Sequence, residues 1–162
     1  MGATPQTDAR SQASPGVIVV GVDDSPGAER ALRWAVQEAA AHHWDVTAVL
    51  AWEVPATGAL GVEPLPVDIA ALAQGASETL ARILARVTDE AEALGVTVTG
   101  EAAHGHPRHV LLELSEDADL LVVGSRGRGG FAGLLLGSVS SYCTKHANRP
   151  VAVIPSPRTN ES

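Results

Sequence analysis

Short apolar stretches alternate with longer segments of helical periodicity along the chain. The apolar stretches are rich in Val, Ile, Leu and Ala, as expected of strands buried on both faces. They lie at residues 17–22, 46–52, 96–102, 120–123 and 151–154. Amphipathic segments at residues 26–43, 69–94, 106–114 and 138–147 lie between them. This order predicts an α/β fold, with a parallel sheet between helices on both faces.

Capping residues mark where several of these elements begin and end. Ser25 precedes Pro26, so Ser25 is a good N-cap and Pro26 suits the first helical position. Gly95 closes the helix predicted over residues 69–94, and a long loop rich in Pro and Gly fills residues 53–68. We predict one domain over residues 17–155. Residues 1–16 and 156–162 are polar and are expected to be disordered tails, the first of them without the features of a signal peptide.

Charge and cysteine content narrow the class of protein. The formal net charge is −8, which disfavours nucleic acid and anionic membranes as partners. No segment has the roughly 18 apolar residues of a membrane span. Cys143 is the single cysteine, so no internal disulfide can form, which fits a reducing compartment. We therefore expect a cytoplasmic protein.

The main candidate for chemistry is a glycine-rich segment after the fourth predicted strand. Gly124, Gly127 and Gly137 have the spacing G-x2-G-x9-G, and Ser138 then opens a helix. Glycines allow backbone N–H groups to converge in one concavity, and a helix N-terminus attracts anions. A polyphosphate is the natural ligand, although the glycines could also serve a mobile connection alone. The segment is not a Walker A loop, because no Lys precedes Ser138.

Two other clusters favour ordinary structural roles. His104, His106 and His109 lie close in sequence, but without Cys or fixed helical spacing they favour turn residues over a metal site. Ser138 favours helix capping over nucleophilic catalysis, because no motif places a base beside it. We predict neither catalytic residues nor metal ligands.

Several segments together resemble the universal stress protein family. Residues 20–25 (Val-Gly-Val-Asp-Asp-Ser) are similar to the family's opening motif, residues 105–107 (Gly-His-Pro) to its turn before the third helix, and residues 120–155 to its C-terminal motif. The resemblance implies a three-layer, Rossmann-like, doubly wound sheet with strand order 3-2-1-4-5. It also implies ATP, bound together with Mg²⁺, in a crevice at the strand ends, and a homodimer formed through residues 151–154.

Carried over by position, the resemblance assigns one set of residues to the nucleotide. The implied binding residues are Gly21, Val22, Asp23, Ala51, Val123, Gly124, Ser125, Arg126, Gly127, Arg128, Gly129, Gly137, Ser138 and Val139. The chain departs from the family pattern at Asp24, where glycine is common and an added charge would weaken nucleotide binding. It departs again at His106, a poor N-cap by preference.

The retained glycine pattern favours an ATP-binding stress-response module with at most slow hydrolysis. Two other functions stay open. One is a dimerisation module that holds no nucleotide, and the other is an adenylyl-transferring enzyme of the same fold.

Overall fold

Strands and helices alternate throughout the computed structural model, which describes residues 14–55, 66–128 and 135–156. Its elements in chain order are β1 (Val17–Gly21), α1 (Pro26–His42), β2 (Asp45–Trp52), α2 (Ile69–Ala85), α3 (Thr88–Leu94), β3 (Val98–His104), α4 (Pro107–Leu114), β4 (Leu120–Gly124), α5 (Ser138–His146) and β5 (Val151–Ile154). Gly129 lies outside the described residues, as do most of both predicted tails and the centre of the predicted 53–68 loop.

The five strands form one parallel sheet in the order β3-β2-β1-β4-β5. The central strand β1 pairs with β2 and β4, so that Val20 lies beside both Ala48 and Val122. From β1 the chain winds outward through β2 to β3, then crosses back to β4 and β5. The predicted doubly wound α/β fold and its strand order are confirmed.

Each face of the sheet has its own apolar core. On one face, Ile18 and Val20 of β1 pack with residues of α1, α2 and α3, among them the fully buried Leu32. On the other face, Val19 packs with α4 and α5, where Leu111 and Cys143 are buried. Successive residues of a strand point to opposite faces, which explains why the apolar run in β1 is nearly continuous.

The predicted single helix over residues 69–94 is wrong in one respect. The chain forms two helices, α2 and α3, separated at Arg86 and Val87. Val87 leaves the helical conformation with φ −120° and ψ −2°, and its side chain is buried. The guanidinium of Arg33 donates to the Arg86 carbonyl at 3.0 Å, which gives that oxygen a partner at the break. Leu94, the last residue of the predicted helix, is 45 % exposed.

Side chains cap the N-termini of α1 and α4. The cap of α1 was predicted, whereas the cap of α4 is a residue with a low preference for that position. Ser25 Oγ accepts from the Ala28 amide at 3.2 Å, as its N-cap role requires. His106, a poor cap by preference, nevertheless caps α4, because its Nδ1 accepts from the Arg108 amide at 3.3 Å. Among the described helices, none is long and apolar enough to cross a membrane.

Candidate functional site

A cavity of about 540 Å³ lies where β1, β2 and β4 end. This is the point at which the chain winds in opposite directions from neighbouring strands, and open α/β sheets bind ligands there. Its described lining is Gly21, Val22, Asp23, Ala28, Val49, Ala51, Pro107, Leu111, Val123, Gly124, Arg126, Gly127, Arg128, Leu136, Gly137, Ser138, Val139 and Ser140.

Most residues selected from the sequence meet in this cavity. Of those that the structure describes, only Ser125 is absent from the lining. The lining also contains six residues that the sequence did not indicate. They are Ala28, Val49, Pro107, Leu111, Leu136 and Ser140. Pro107 is the last residue of the Gly-His-Pro turn at residues 105–107, so that motif was a signal for it, whereas Val49 and Leu111 enter through tertiary packing alone.

Asp23 joins the end of β1 to the glycine-rich segment. Its Oδ1 accepts from the Ser25 amide at 3.1 Å and from the Ser25 hydroxyl. Its Oδ2 accepts from the Arg128 amide at 2.9 Å. Charged acceptors make strong hydrogen bonds, so the carboxylate holds two walls of the cavity together.

Ser125 is buried between two lining residues, Gly124 and Arg126, and links several elements next to the cavity. Its amide donates to the Ile154 carbonyl at 2.7 Å, and its carbonyl accepts from the Gly137 amide at 2.6 Å. The Ser140 hydroxyl donates to the same carbonyl at 2.9 Å, and the Ser156 amide donates to Ser125 Oγ at 3.0 Å. Ser125 therefore connects β4, β5 and α5. Ser156, assigned from the sequence to the C-terminal tail, takes part in this connection.

Two glycines allow the backbone to approach its neighbours closely. A Cβ on Gly127 would lie 2.5 Å from Asp23 Oδ2, and one on Gly124 would lie 3.1 Å from the backbone of Gly27. The first distance is impossible for a real side chain, so Gly127 must lack one while Asp23 keeps its position. The glycine spacing thus has a direct steric reason.

The N-terminus of α5 faces the cavity. Gly137 is the N-cap in extended conformation, and within the described residues no side chain caps this helix. Ser138 and Val139, its first two residues, line the cavity. First-turn amides have no partner inside the helix and carry partial positive charge. Arg126 and Arg128 line the same space, so the site attracts an anion.

Other residues of the lining are apolar. Val49 and Ala51 of β2 contribute to it, together with Leu111 and Pro107. Cavities that combine an apolar wall with a few polar groups bind small organic molecules. An amphipathic ligand with an apolar part and an anionic end fits this composition.

Asp24 lies beside the site but outside the set of lining residues. Its φ of 61° is left-handed, which explains why a position of this kind favours glycine. Its carboxylate lies 2.7 Å from the Arg86 guanidinium and 3.8 Å from that of Arg82. The Asp24 charge, which was expected to weaken nucleotide binding, is therefore compensated by ion pairs with these two arginines.

The predicted histidine cluster becomes part of an aromatic row. The rings of His106 and His109 are 5.9 Å apart, and His109 lies 5.8 Å from the ring of Tyr142. His104 instead packs on Trp52 at 4.7 Å. In the parts of the chain that the structure describes, no group of three or more His, Cys, Asp or Glu is arranged to hold a metal ion.

Fold and site together define a doubly wound α/β protein with an anion-attracting crevice at its switch point. A sequence profile of the universal stress protein family matches residues 16–155. Two relatives are 37 % identical: universal stress protein Rv2623 of Mycobacterium tuberculosis over 139 residues, and a universal stress protein of Mycolicibacterium smegmatis over 141 residues. The chain belongs to the universal stress protein family.

The similarity covers different shares of this chain and of its relatives. They cover 85 % of this chain but only 46 % and 45 % of the two relatives, so the chain spans less than half of their length. A solved universal stress protein in complex with cAMP has a TM-score of 0.66 and 27 % identity, covering 90 % of this chain and all of the other. One from Archaeoglobus fulgidus in complex with dAMP has a TM-score of 0.58 and 25 % identity, covering 88 % and 98 %.

Proposed function

We propose that the protein binds ATP, together with Mg²⁺, in the crevice at the switch point. The observation that carries this proposal is the uncapped N-terminus of α5, which faces the same cavity as Gly127 and Arg128. Amides at a helix N-terminus and in a glycine loop are suited to phosphate oxygens. The apolar wall formed by Val49 and Leu111 suits a purine ring.

The residues present fit a nucleotide with its metal held mainly by phosphates. Magnesium commonly keeps several waters and takes one or two protein oxygens beside substrate phosphates. Among the lining residues, Ser138 offers a hydroxyl and Asp23 a carboxylate to such a metal ion. Bound magnesium would offset the charge of the phosphates, while Arg126 and Arg128 supply further positive charge.

We propose binding as the function, with hydrolysis slow at most. A general base needs a free lone pair near the attacking water. Three of the roughly four acceptor positions of the Asp23 carboxylate are already taken by Ser25 and the Arg128 amide, which leaves little capacity for a water beside a metal ion. In this role the protein is a nucleotide-dependent module of a cytoplasmic stress response, whose interactions with partners change when the crevice fills.

Equilibrium titration with a fluorescent ATP analogue tests the proposal directly. We expect saturable binding by the parent protein and a loss of at least about tenfold in affinity for Gly127→Val, because the new side chain displaces Asp23. Gly137→Val should also weaken binding, since it crowds the N-terminus of α5. Gly75→Ala is the matched control, because nothing lies within 4 Å of a Cβ there.

Competition by ATP, AMP and cAMP then identifies the preferred phosphate chain. We expect ATP to compete best, and mass spectrometry of natively purified protein to detect adenine nucleotide. Absence of binding by the parent protein would refute the proposal.

A second candidate function is a nucleotide-free dimerisation module. β5 lies at the edge of the sheet, and all four residues of Val151–Ile154 are only half-buried. An edge strand with open hydrogen-bonding groups can pair with a second copy about a two-fold axis. We propose this homodimer as compatible with ATP binding. Light scattering of the parent and of Val153→Lys tests it, with a dimer expected only for the parent.

A further inference from the structure

The turn between β1 and α1 contains a conformation that few side chains adopt. Asp24 has a φ of 61°, although it is not glycine. Left-handed backbone brings Cβ close to the following carbonyl, and Asp tolerates it better than most residues. Asp24 stands directly between Asp23, which lines the crevice, and Ser25, which caps α1. Its conformation therefore determines the direction of both neighbours.

The side chain of Asp24 is held from outside the crevice. Arg86 Nη2 lies 2.7 Å from Asp24 Oδ1, and the Asp24 side chain is only 18 % exposed. Arg82 lies farther away, at 3.8 Å. Arg86 is itself anchored, because its Nη1 donates to Glu29 at 3.3 Å and its carbonyl accepts from Arg33 at 3.0 Å.

We propose that Arg86 is a positioning residue for the crevice, acting through Asp24. This inference rests on the proposed nucleotide binding and deepens it. Arg86 immediately follows α2 and lies outside the described lining of the cavity. Its charge keeps the Asp24 carboxylate in place, and the turn then presents the Asp23 carboxylate to the Arg128 amide.

The break between α2 and α3 positions Arg86 next to Asp24. An unbroken helix would place Arg86 in a regular turn, with its carbonyl engaged in the helix. Ending α2 at Ala85 instead leaves the guanidinium beside Asp24 and lets the carbonyl accept from Arg33. Removing the guanidinium leaves a largely buried carboxylate with a weaker counter-charge, so the turn relaxes and Asp23 loses its orientation.

Arg86→Gln tests the inference, with Glu90→Gln as the matched control. Glu90 pairs with Arg33 at 2.9 Å in the same network but does not touch Asp24. We expect Arg86→Gln to weaken ATP binding about threefold to tenfold, and Glu90→Gln to change it by less than about twofold. Arg86→Lys keeps the charge and should recover most of the affinity. In an Asp24→Gly background, Arg86→Gln should have no further effect.

A second readout needs no nucleotide. Hydrogen exchange of the Arg128 amide reports its bond to Asp23 directly, and it should accelerate in Arg86→Gln but not in Glu90→Gln. Unchanged exchange in Arg86→Gln would overturn the inference, as would equal effects of the two variants or a full effect in the Asp24→Gly background. If the parent protein binds no ATP, the proposed function fails, and the exchange of Arg128 alone decides whether Arg86 positions the turn.

Discussion

Two helical glycines should respond to alanine in opposite directions. Gly27 lies in the first turn of α1 and is buried, whereas Gly75 is exposed in α2. A Cβ on Gly27 would lie 2.8 Å from the Arg126 carbonyl oxygen and 2.8 Å from Ser156 Oγ. At Gly75 nothing lies within 4 Å. The same substitution therefore adds a collision at one site and only helix propensity at the other.

The magnitudes follow from these contacts. The Ser156 hydroxyl can rotate away, but the Arg126 carbonyl belongs to the backbone and must move by about 0.6 Å to reach an ordinary contact of 3.4 Å. Overpacking of this kind costs about 1–3 kcal/mol, and helix propensity returns at most about 1 kcal/mol. We expect Gly27→Ala to lower the free energy of unfolding by about 1–2 kcal/mol. Gly75→Ala should raise it by up to about 1 kcal/mol.

Urea denaturation of the two variants and the parent measures both effects, with thermal unfolding as a second assay. For a chain of this size, each kcal/mol shifts Tm by about 2–4 °C. Equal m-values would show that the unfolded states are comparable. The reasoning is refuted if Gly27→Ala is as stable as the parent, or if Gly75→Ala is destabilised to the same degree.

Three further effects follow from individual side chains. Ser25→Ala removes the hydroxyl that accepts from the Ala28 amide, so the free energy of unfolding in urea should fall by about 1 kcal/mol. Burial raises the pKa of the Cys143 thiol, so a maleimide should react slowly at pH 8 until urea unfolds the chain, and rapid reaction of the folded protein would contradict this. The amide of Gln37 lowers the pKa of Glu90, whose stabilising effect is present above the ordinary carboxyl pKa of 4.5 and is lost as pH falls through the lowered value. Glu90→Gln should therefore lose less stability than the parent on acidification, as urea titrations between about pH 3 and pH 6 would measure.

Local pattern accounts for most of the fold. The apolar runs and amphipathic segments predicted the order of strands and helices, because each signal is contained within a few consecutive residues. The strand order itself required the family resemblance, and the pairing of β1 with β2 and β4 confirms it. At the helix boundary that was predicted wrongly, the Arg86 carbonyl accepts from Arg33, which lies 53 residues earlier in the chain, so no local pattern could reveal this contact.

The residues of the site likewise fall into two groups, those that a sequence motif indicated and those that tertiary packing brought in. Gly124, Gly127 and Gly137 were recognisable from their spacing, since backbone geometry requires glycine at close approaches. Val49 and Leu111 were not, because an apolar residue in a strand or helix carries no sign of the cavity it will line.

The alternation of elements, the glycine spacing and the residues that follow the strands were predictable from the sequence, because each is a property of a short segment. The complete fold was needed to show that Asp23 accepts from the Arg128 amide, that Ser125 joins β4 to β5 and α5, and that Arg86 forms an ion pair with Asp24. Those contacts join residues between 12 and 105 positions apart, and their partners are selected by packing of the whole sheet rather than by any local preference.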